Sequence, residues 1–405
     1  MMLFLLKGYN EILFTLCFSF LLFSWFWINK TSIKSFSIHS EVSISNKNAL
    51  GVIFKFNGYN IFLKDKNLNI YDKIFISGTV TKITNKSTNF NIENYLKSFN
   101  TFFEIKTLNS FKIITRDEGW RNNIFKFLSS GNFNYSKIFP VALLGENFIL
   151  DNDFIANLKQ LNIYHIFVIS GFHLGFLRLF IFKILKFLKI NNLFSNIIFV
   201  ILLSLINYIL NFPISFLRAT LFFVLSLVNK VFLKNKFKNF EILSFVAIIF
   251  ILWNPLVIYS FSYIFTFLIT LVLLYCLYLK IENKLIKNFI STVIVHIFAS
   301  ILLLFFNEKY NIFSYLNSLI FLPFAIFIYV IGWLFIWEKN LLDFIAQHLL
   351  WIIEKIANFQ IYIQLIKLNF TTIFICYIIF SICFLSMELT HISRRKKLNK
   401  FLLNS

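Results

Sequence analysis

The amino-acid sequence predicts a mostly α-helical, polytopic membrane protein with one small β domain near its N-terminus. Apolar residues make up 58% of the 405 positions and charged residues only 14%, whereas soluble domains carry about 25% charged residues. Apolar runs of roughly 17 to 25 residues, the length that crosses a bilayer, recur along the chain. Residues 31–118 differ, because their apolar runs are short and alternate with polar positions.

Nine apolar segments are the candidate transmembrane helices. They cover residues 12–28, 164–188, 193–211, 213–233, 240–256, 258–279, 286–306, 312–337 and 369–387. The Lys-rich connections 183–191, 229–239 and 280–287 alternate with connections that hold a single base among them. Since basic loops are retained in the cytoplasm, this pattern predicts a cytoplasmic N-terminus and an external position for residues 29–130.

The first apolar segment is expected to stay in the mature chain. It ends without a small-residue cleavage site, so residues 1–28 are predicted to form a membrane anchor. At the other end, the basic tail 388–405 favours the cytoplasm. That requires either that 341–366 crosses the membrane or that the 312–337 segment is broken at Pro323, and both alternatives stay open.

Residues 341–358 mix charged and apolar side chains at helical spacing. This pattern suits a helix that lies in the membrane interface. A helix packed inside the bundle would show the same pattern, and the sequence does not separate the two.

Short alternating runs predict one small antiparallel β domain within residues 29–118. The predicted strands lie at 35–39, 51–56, 72–80 and 102–115, with turns rich in Asn, Gly and Lys between them. Residues 31–130 hold fourteen Lys or Arg against seven Asp or Glu. This basic surplus would attract a polyanion, although a general bias toward Lys would also produce it. An amphipathic, half-inserted segment at 119–163 is expected to connect this domain to a polytopic domain at 164–387.

The composition argues against several classes of function. The four cysteines (Cys17, Cys276, Cys376 and Cys383) all lie in apolar segments, so no disulfide framework, metal site or cofactor is predicted. The chain has no Gly-rich loop ending in Lys-Ser or Lys-Thr, so ATP hydrolysis is not expected. Between 163 and 337 the carboxylates are confined to Glu241, Glu282 and Glu308, near segment ends. The buried acids of ion-coupled transporters are therefore missing.

Four short motifs resemble the ComEC competence-protein family. They are Ala142 to Glu146 with Asn162 to Leu174, Pro213 to Ala219, Asn254-Pro255, and Asn317 to Pro323. Within them, Gly145, Gly171, Gly175, Pro213, Asn254, Pro255, Asn317 and Pro323 are predicted structural positions. The resemblance covers nearly the whole chain and implies that the β domain is OB-like and external.

The resemblance implies a function and a set of partners. The chain is expected to be a channel in the bacterial inner membrane that passes single-stranded DNA into the cytoplasm during natural transformation. The implied partners are single-stranded DNA, an external DNA receptor, a separate nuclease, a cytoplasmic DNA-translocating ATPase and membrane lipid. The metallo-β-lactamase-like domain and the external disulfide of many members are absent, so no enzymatic activity is expected.

His165, Ser170, His173 and Arg218 are the predicted residues of the DNA path. On one continuous helix, His165 and His173 would lie about 80° apart and face one interior. Ser170 would either bond to its own helix or line the path. The alternative for His165 is an interfacial position at the outer end of the span. Gly171 and Gly175 form a small-xxx-small pair, which favours close packing of another helix.

Arg218 is the most informative single residue, because a charge inside an apolar segment is costly unless it is paired or hydrated. It is expected to meet water, backbone carbonyls or a passing phosphate, and the alternative is a side chain that extends to the membrane surface. Aromatic faces for base stacking would come from Phe172, Phe176, Tyr208, Phe212 and Phe216. Two rival functions remain: a transporter of a small-molecule or lipid-linked substrate, and an intramembrane hydrolase.

Overall fold

The computed structural model describes residues 35–48, 50–65, 67–84, 92–130, 133–145, 153–277, 281–303 and 309–364. The predicted spans at 12–28 and 369–387 lie outside these residues, as do the N-terminal anchor and the basic C-terminal tail. The chain divides into two compact units. The first holds residues up to Ile264 together with Phe313–Ile361, and the second holds Phe265–Ile312 together with residues from Tyr362 onward.

Five strands close into a small barrel. They are β1 (Ser35–Asn48), β2 (Gly51–Phe56), β3 (Tyr59–Leu63), β4 (Lys73–Lys82) and β5 (Thr101–Thr115), with helix α1 (Ile92–Lys97) between β4 and β5. The order around the barrel is β1-β2-β3-β5-β4, and β4 pairs back to β1. Alternation along β1 buries Ile38, Val42 and Ile44 inside, as a half-buried strand requires.

The prediction of a purely antiparallel domain is wrong at one strand pair. Strand β3 was not predicted, and it pairs in parallel with β5 while every other pairing in the barrel is antiparallel. It follows a tight turn in which Asn57 (φ 47°) and Gly58 (φ 79°) both adopt positive φ. An Asn-Gly pair between two apolar runs is a strong hairpin signal, so β3 was detectable from the sequence.

The rest of the described chain is mostly helical. The helices are α2 (Trp120–Ser129), α3 (Tyr135–Leu144), α4 (Asp153–Gln160), α5 (Tyr164–Phe167), α6 (Gly171–Phe187), α7 (Asn192–Ile209), α8 (Ile214–Val231), α9 (Asn239–Trp253), α10 (Phe261–Leu277), α11 (Lys284–Leu303), α12 (Ser314–Leu334) and α13 (Lys339–Ala357). A 3₁₀ helix, Pro255–Tyr259, joins α9 to α10, and two short strands, β6 (Lys309–Asn311) and β7 (Tyr362–Gln364), pair with each other.

Within the residues that the structure describes, five helical segments are long and apolar enough to cross a membrane, so nine crossings are not confirmed. The five are Tyr164–Phe187, Asn192–Ile209, Ile214–Val231, Lys284–Leu303 and Ser314–Leu334. The predicted spans 240–256 and 258–279 correspond to α9 and α10, with 15 and 17 residues. At 1.5 Å per residue these helices measure about 23 and 26 Å, shorter than the roughly 27 Å of the 18-residue helices α7 and α8.

The structure shows whether the 312–337 segment is broken at Pro323, which the sequence left open. Helix α12 runs through Pro323 without a break, from Ser314 to Leu334. Helix α13 then follows as a separate amphipathic element. Its buried residues include Leu342, Ala346, Leu349 and Ile353, and its opposite face leaves Phe344 and Trp351 exposed.

The core of the first unit gathers buried apolar residues from α2 to α8, α12 and α13, including Phe139, Phe167, Phe199, Phe216, Phe321 and Ile353. Gly332 lies in this core. A Cβ added there would come within 2.7 Å of the Phe139 ring, so α12 and α3 approach each other closely.

Candidate functional site

The predicted helix 164–188 is interrupted, and the interruption creates the site. Helix α5 ends at Phe167, Val168 is extended, and Ser170 is extended (φ −140°, ψ 174°) as the N-cap of α6. His165 and His173 therefore lie on different helical segments. The 80° relation between them, which requires one continuous helix, does not hold.

Ser170 and His173 form a capping box at the start of α6. The backbone N–H of Ser170 donates to Nδ1 of His173 over 3.1 Å, and the Ser170 hydroxyl lies 3.2 Å from the same nitrogen. Such reciprocal bonds satisfy backbone groups that a helix N-terminus otherwise leaves unpaired. Because Nδ1 accepts this bond, the neutral ring carries its hydrogen on Nε2.

The imidazole of His173 is enclosed in the bundle. The residue is 2% exposed, and its ring centroid lies 4.9 Å from that of Tyr329 on α12. Phe172, the preceding residue, is 44% exposed. The first turn of α6 therefore presents an aromatic side chain outward while His173 is held inside.

Arg218 lies against the start of α6. A Cβ added to Gly171 would be 3.1 Å from Nη2 of Arg218 and 3.2 Å from Cβ of Ala219, so the absence of a side chain at Gly171 allows this approach. Arg218 is 8% exposed. The guanidinium is thus enclosed within the first unit instead of extending to the surface. The Ser215 hydroxyl, one turn earlier on α8, donates to the carbonyl of Ile169 over 3.3 Å.

A polar contact not predicted from the sequence joins α7 to α8. Nδ2 of Asn207 donates to Oγ1 of Thr220 over 2.9 Å, and both residues are buried. Polar side chains inside apolar helices are a usual sign of interhelical hydrogen bonding, so the two residues could have been singled out. They hold α8 in the orientation that places Arg218 at Gly171.

Of the predicted path residues, Ser170, His173 and Arg218 all lie near Gly171. Ser170 and His173 form the cap at the start of α6, and Arg218 approaches Gly171 from α8. His165 is half-buried on α5 and is separated from them by the extended residues 168–170. Gly175 differs from Gly171, because a Cβ added there would meet nothing within 4 Å. Close helix packing is therefore found at one member of the small-xxx-small pair only.

Gly175 opens onto a groove of about 680 Å³ along α6. The groove is lined by Phe172, Gly175, Phe176, Arg178, Leu179 and Phe182. Arg178, like Arg218, is a charge within an apolar run of the sequence. Its guanidinium carbon lies 5.4 Å from the ring centroid of Phe182 and 4.9 Å from that of Phe223 on α8.

Two of the predicted structural positions, Gly145 and Pro213, lie at the ends of helices. Gly145 ends α3 in the left-handed conformation (φ 67°) and donates to the carbonyls of Pro140 and Val141. Pro213 precedes the first residue of α8, where its fixed φ and missing N–H suit a helix start. Two residues with positive φ, Asn211 and Phe212, form the turn before it.

Asn317 and Pro323 both lie on α12. Nδ2 of Asn317 donates to the carbonyl of Leu161 over 3.3 Å and to Oε1 of Gln360 over 2.9 Å. Asn317 thereby ties α12 to the turn after α4 and to the end of α13. Pro323, the last residue of the predicted motif Asn317 to Pro323, lies within the helix and does not break it.

Asn254 and Pro255 attach the helical region to the barrel. Oδ1 of Asn254 accepts from the N–H of Leu256, and Nδ2 donates to the carbonyl of Ser98 over 2.8 Å. Pro255 starts the 3₁₀ helix. Leu256 is fully buried and belongs to the hydrophobic core of the barrel. The connection between α9 and α10 therefore contributes to a core made mostly by strands.

Tyr259 in the same 3₁₀ helix lies next to α1. The Lys97 ammonium is 5.9 Å from its ring centroid and is paired with Glu93 over 2.7 Å. Burial, with a smaller effect of the Glu93 carboxylate, raises the pKa of the Tyr259 phenol. The phenol therefore stays neutral at physiological pH, as suits a side chain packed at the edge of the barrel core.

A second attachment lies at the turn between α7 and α8. Nε of Arg121 on α2 donates to the carbonyl of Ile209 over 2.7 Å, and Nδ2 of Asn211 donates to Oδ1 of Asn46 on β1 over 3.2 Å. Together with the 3₁₀ helix, the bond between Asn211 and Asn46 attaches the barrel at two separate points of the helical region.

The five long apolar helical segments carry positive charge only. Their sequences contain no Asp or Glu, and their cations are Arg178, Lys183, Lys186, Arg218, Lys230, Lys284 and Lys287. Among the described residues, no three His, Cys, Asp or Glu side chains come together as a group that could hold a metal ion. The chemistry within these segments is therefore that of cations, hydroxyls and aromatic rings.

Fold and site together define a multi-pass membrane protein with a small β-barrel before its helical region. Residues 142–390 match the family model described as Competence protein, and the chain belongs to that family.

Two relatives are uncharacterized proteins of Mycoplasma. The one from Mycoplasma pneumoniae is 32% identical over 256 residues, which cover 62% of this chain and 65% of the relative. The one from Mycoplasma genitalium is 34% identical over 208 residues, 51% of this chain and 52% of the relative. The matches thus span between half and two thirds of the relatives' own length. No solved structure matches the chain significantly.

Proposed function

We propose that this protein is an inner-membrane channel that passes single-stranded DNA into the cytoplasm during natural transformation. The observation that carries the proposal is membership of the competence-protein family across residues 142–390. This range contains the start of α6 and the Arg218 contact at Gly171. The path is proposed to run past Ser170, His173 and Arg218, with His165 at its outer approach.

The charge of the helical segments supports a polyanion as the substrate. A strand of DNA carries one negative charge per nucleotide, and carboxylates in its path would repel it. The five long segments have cations and no carboxylates. An enclosed guanidinium can donate two parallel hydrogen bonds to a phosphate, which makes Arg218 the proposed phosphate contact within the path.

The barrel is proposed to be an external OB-like domain that meets DNA before the membrane. Five strands closed in a Greek-key order are typical of that fold, which binds oligonucleotides. In this barrel, helix α1 lies between β4 and β5. The proposed domain limits are 29–118 for this domain, 119–163 for the connecting segment and 164–387 for the channel. The basic surplus of residues 31–130 favours weak, salt-sensitive binding of a polyanion.

The proposed channel is passive, so other proteins would supply the chemistry. An external receptor would deliver DNA, a separate nuclease would produce the single strand, and a cytoplasmic ATPase would pull it. The relatives are uncharacterized, and these partners follow only from the family's link to competence.

A hydrolase is the rival closest to the observed geometry, because Ser170 and His173 are in contact. A serine nucleophile needs a base that is oriented by a third group. Here Nδ1 of His173 already accepts a hydrogen bond from the Ser170 backbone N–H. The lone pair of Nδ1 is therefore used in the helix cap instead of acting as the base for the Ser170 hydroxyl. A transporter of a small or lipid-linked substrate is the other rival, and it predicts transport unrelated to DNA.

The test is import of DNA by a strain that lacks this gene. Fluorescent double-stranded DNA is added, external DNA is digested, and the fluorescence that remains in the cytoplasm and outside the inner membrane is measured separately. We expect the deletion to abolish the cytoplasmic signal and leave the outer signal unchanged, and a plasmid copy of the gene to restore the cytoplasmic signal. Normal cytoplasmic import in the deletion strain would refute the proposed function.

A further inference from the structure

Arg178 is an exposed cation in the middle of an apolar helix. It is separated by about 10 Å of helix from Gly171 and about 14 Å from Phe187, at 1.5 Å per residue. Within the described part of the chain, no carboxylate lies within ion-pairing distance of its guanidinium. An ionisable side chain at this depth marks a functional site in most membrane proteins.

The surroundings of Arg178 suit a ligand with both a negative charge and a flat ring. The guanidinium lies within about 6 Å of two aromatic centroids, the range of cation–π attraction, so its position is set by Phe182 and Phe223. Phe172 and Phe176 line the same groove, about 1.7 turns and about half a turn before Arg178. Base stacking on such rings is worth about 1 to 3 kcal/mol per base.

The groove is open because of Gly175. Nothing lies within 4 Å of the position that a Cβ would occupy there, so the glycine leaves space without being required for packing. The groove volume of about 680 Å³ falls within the roughly 300 to 1,000 Å³ of sites for small ligands. One or two nucleotides would fill it.

We propose that the groove along α6 binds single-stranded DNA in transit, with Arg178 on a phosphodiester and Phe172 and Phe176 on the bases. This inference rests on the proposed function and adds a contact on the open side of α6, opposite the enclosed His173. The depth of Arg178 favours DNA over lipid as the source of the phosphate. Lipid headgroups lie roughly 15 Å from the bilayer centre, whereas a strand that crosses the membrane passes every depth.

The test measures binding of a fluorescent oligothymidylate to the purified full-length protein in zwitterionic nanodiscs, over a series of salt concentrations. Arg178→Gln is compared with Lys183→Gln, which removes the same charge about 140° away around α6. Loss of one phosphate contact should weaken binding and make the log–log salt dependence shallower by about 0.7. We expect this change for Arg178→Gln only, and equal effects of the two variants would overturn the proposal.

A second pair of variants tests the groove itself. Gly175→Leu should fill it without a backbone clash and lower the affinity for DNA at least fivefold, whereas Gly175→Ala should bind like the parent. Parental affinity of Gly175→Leu would overturn the proposal.

Three further outcomes identify which idea has failed. If the parent protein binds no oligothymidylate at any salt concentration, the proposed function fails together with this inference. If the parent binds but Arg178→Gln binds equally well, only the inference fails. If Arg178→Gln loses binding of spin-labelled phosphatidylglycerol but not of DNA, the groove is a lipid site and the proposal is wrong.

Discussion

The enclosed guanidinium of Arg218 depends on a residue that has no side chain. Gly171 lets the α8 backbone approach α6, and the capping box at Ser170 and His173 fixes where α6 begins. If α6 began one residue earlier or later, the face of the helix that Gly171 occupies would turn by about 100°. The position of the Arg218 guanidinium therefore depends on both the cap and the glycine.

For Arg218 we predict a graded loss of DNA import. Arg218→Ala and Arg218→Glu should abolish import, because a charge-assisted hydrogen bond is worth about 1.5 to 3 kcal/mol, on the order of 10- to 100-fold. Arg218→Lys should retain part of it, since the positive charge survives but the planar fork is lost. DNA reaching the outer side of the inner membrane should be unchanged in all three.

The control for Arg218 is the amount of protein in the membrane, measured by immunoblot. Because Arg218 is buried, each variant is compared only at normal protein level. Parental import by Arg218→Glu at that level would show that the α8 assignment to the DNA path is wrong.

For His173 we predict that helix capping and DNA passage can be separated. His173→Ala should destabilise the purified protein by about 1 kcal/mol through loss of the cap. His173→Gln should recover most of that stability, because glutamine is a usual partner at this position of a capping box. Import should stay low in both variants, since alanine has no donor and glutamine, whose amide oxygen takes the cap bond, does not place a donor where the imidazole Nε2–H lies.

Thermal unfolding in detergent and the import assay measure the two effects. Full import by His173→Gln would mean that the residue acts only through the cap, and it would remove His173 from the path.

At the scale of elements, the barrel shares its core with the helical region. Leu256, from the 3₁₀ helix between α9 and α10, is fully buried among barrel side chains. Hydrogen bonds from Asn254 and Asn211 act at separate points of the same contact. An external domain linked by one flexible connection would be free to swing, whereas this barrel is held.

We predict that Leu256→Ala loosens the barrel in the intact protein. Truncation of a buried leucine costs about 2 to 5 kcal/mol, so amide exchange in β1 to β5 should speed up by one to three orders of magnitude. Leu252→Ala is the matched control, because Leu252 is 60% exposed on the preceding helix. Hydrogen exchange with mass spectrometry compares the two, and unchanged barrel protection in Leu256→Ala would contradict the shared core.

At the scale of the whole molecule, the alternation of Lys-rich loops predicts the orientation in the membrane. In a chain without its native cysteines, a cysteine at Lys112 on β5 should react with an impermeant maleimide in intact cells, and one at Lys236 should not. Both positions are exposed, so accessibility to water does not distinguish them. Permeabilised cells provide the control in which both should react, and labelling of position 236 in intact cells would reverse the orientation.

Most features set by local pattern could be predicted from the sequence. The apolar helices, the β domain and the family motifs each leave a signal in consecutive residues. The break at 168–170 was missed because hydropathy continues across it, although Ser170-Gly171 is a favourable place for a helix to start.

Features set by distant contacts left no such signal. Nothing near Leu256 in sequence predicts its place in the barrel, and the exposure of Arg178 compared with the burial of Arg218 depends on how α6 and α8 pack. Both arginines look alike in a linear sequence because each is a single charge in an apolar run.

The position of Leu256 also affects the order in which the protein is made. It follows the last strand residue of the barrel, Thr115, by 141 positions, and ribosomes add about 5 to 20 residues per second. The strands would therefore wait roughly 7 to 28 s with one end of their core open. During biosynthesis Leu256 joins the barrel core only after α9 has been synthesised, so chains that end before Leu256 should keep the strands sensitive to proteases.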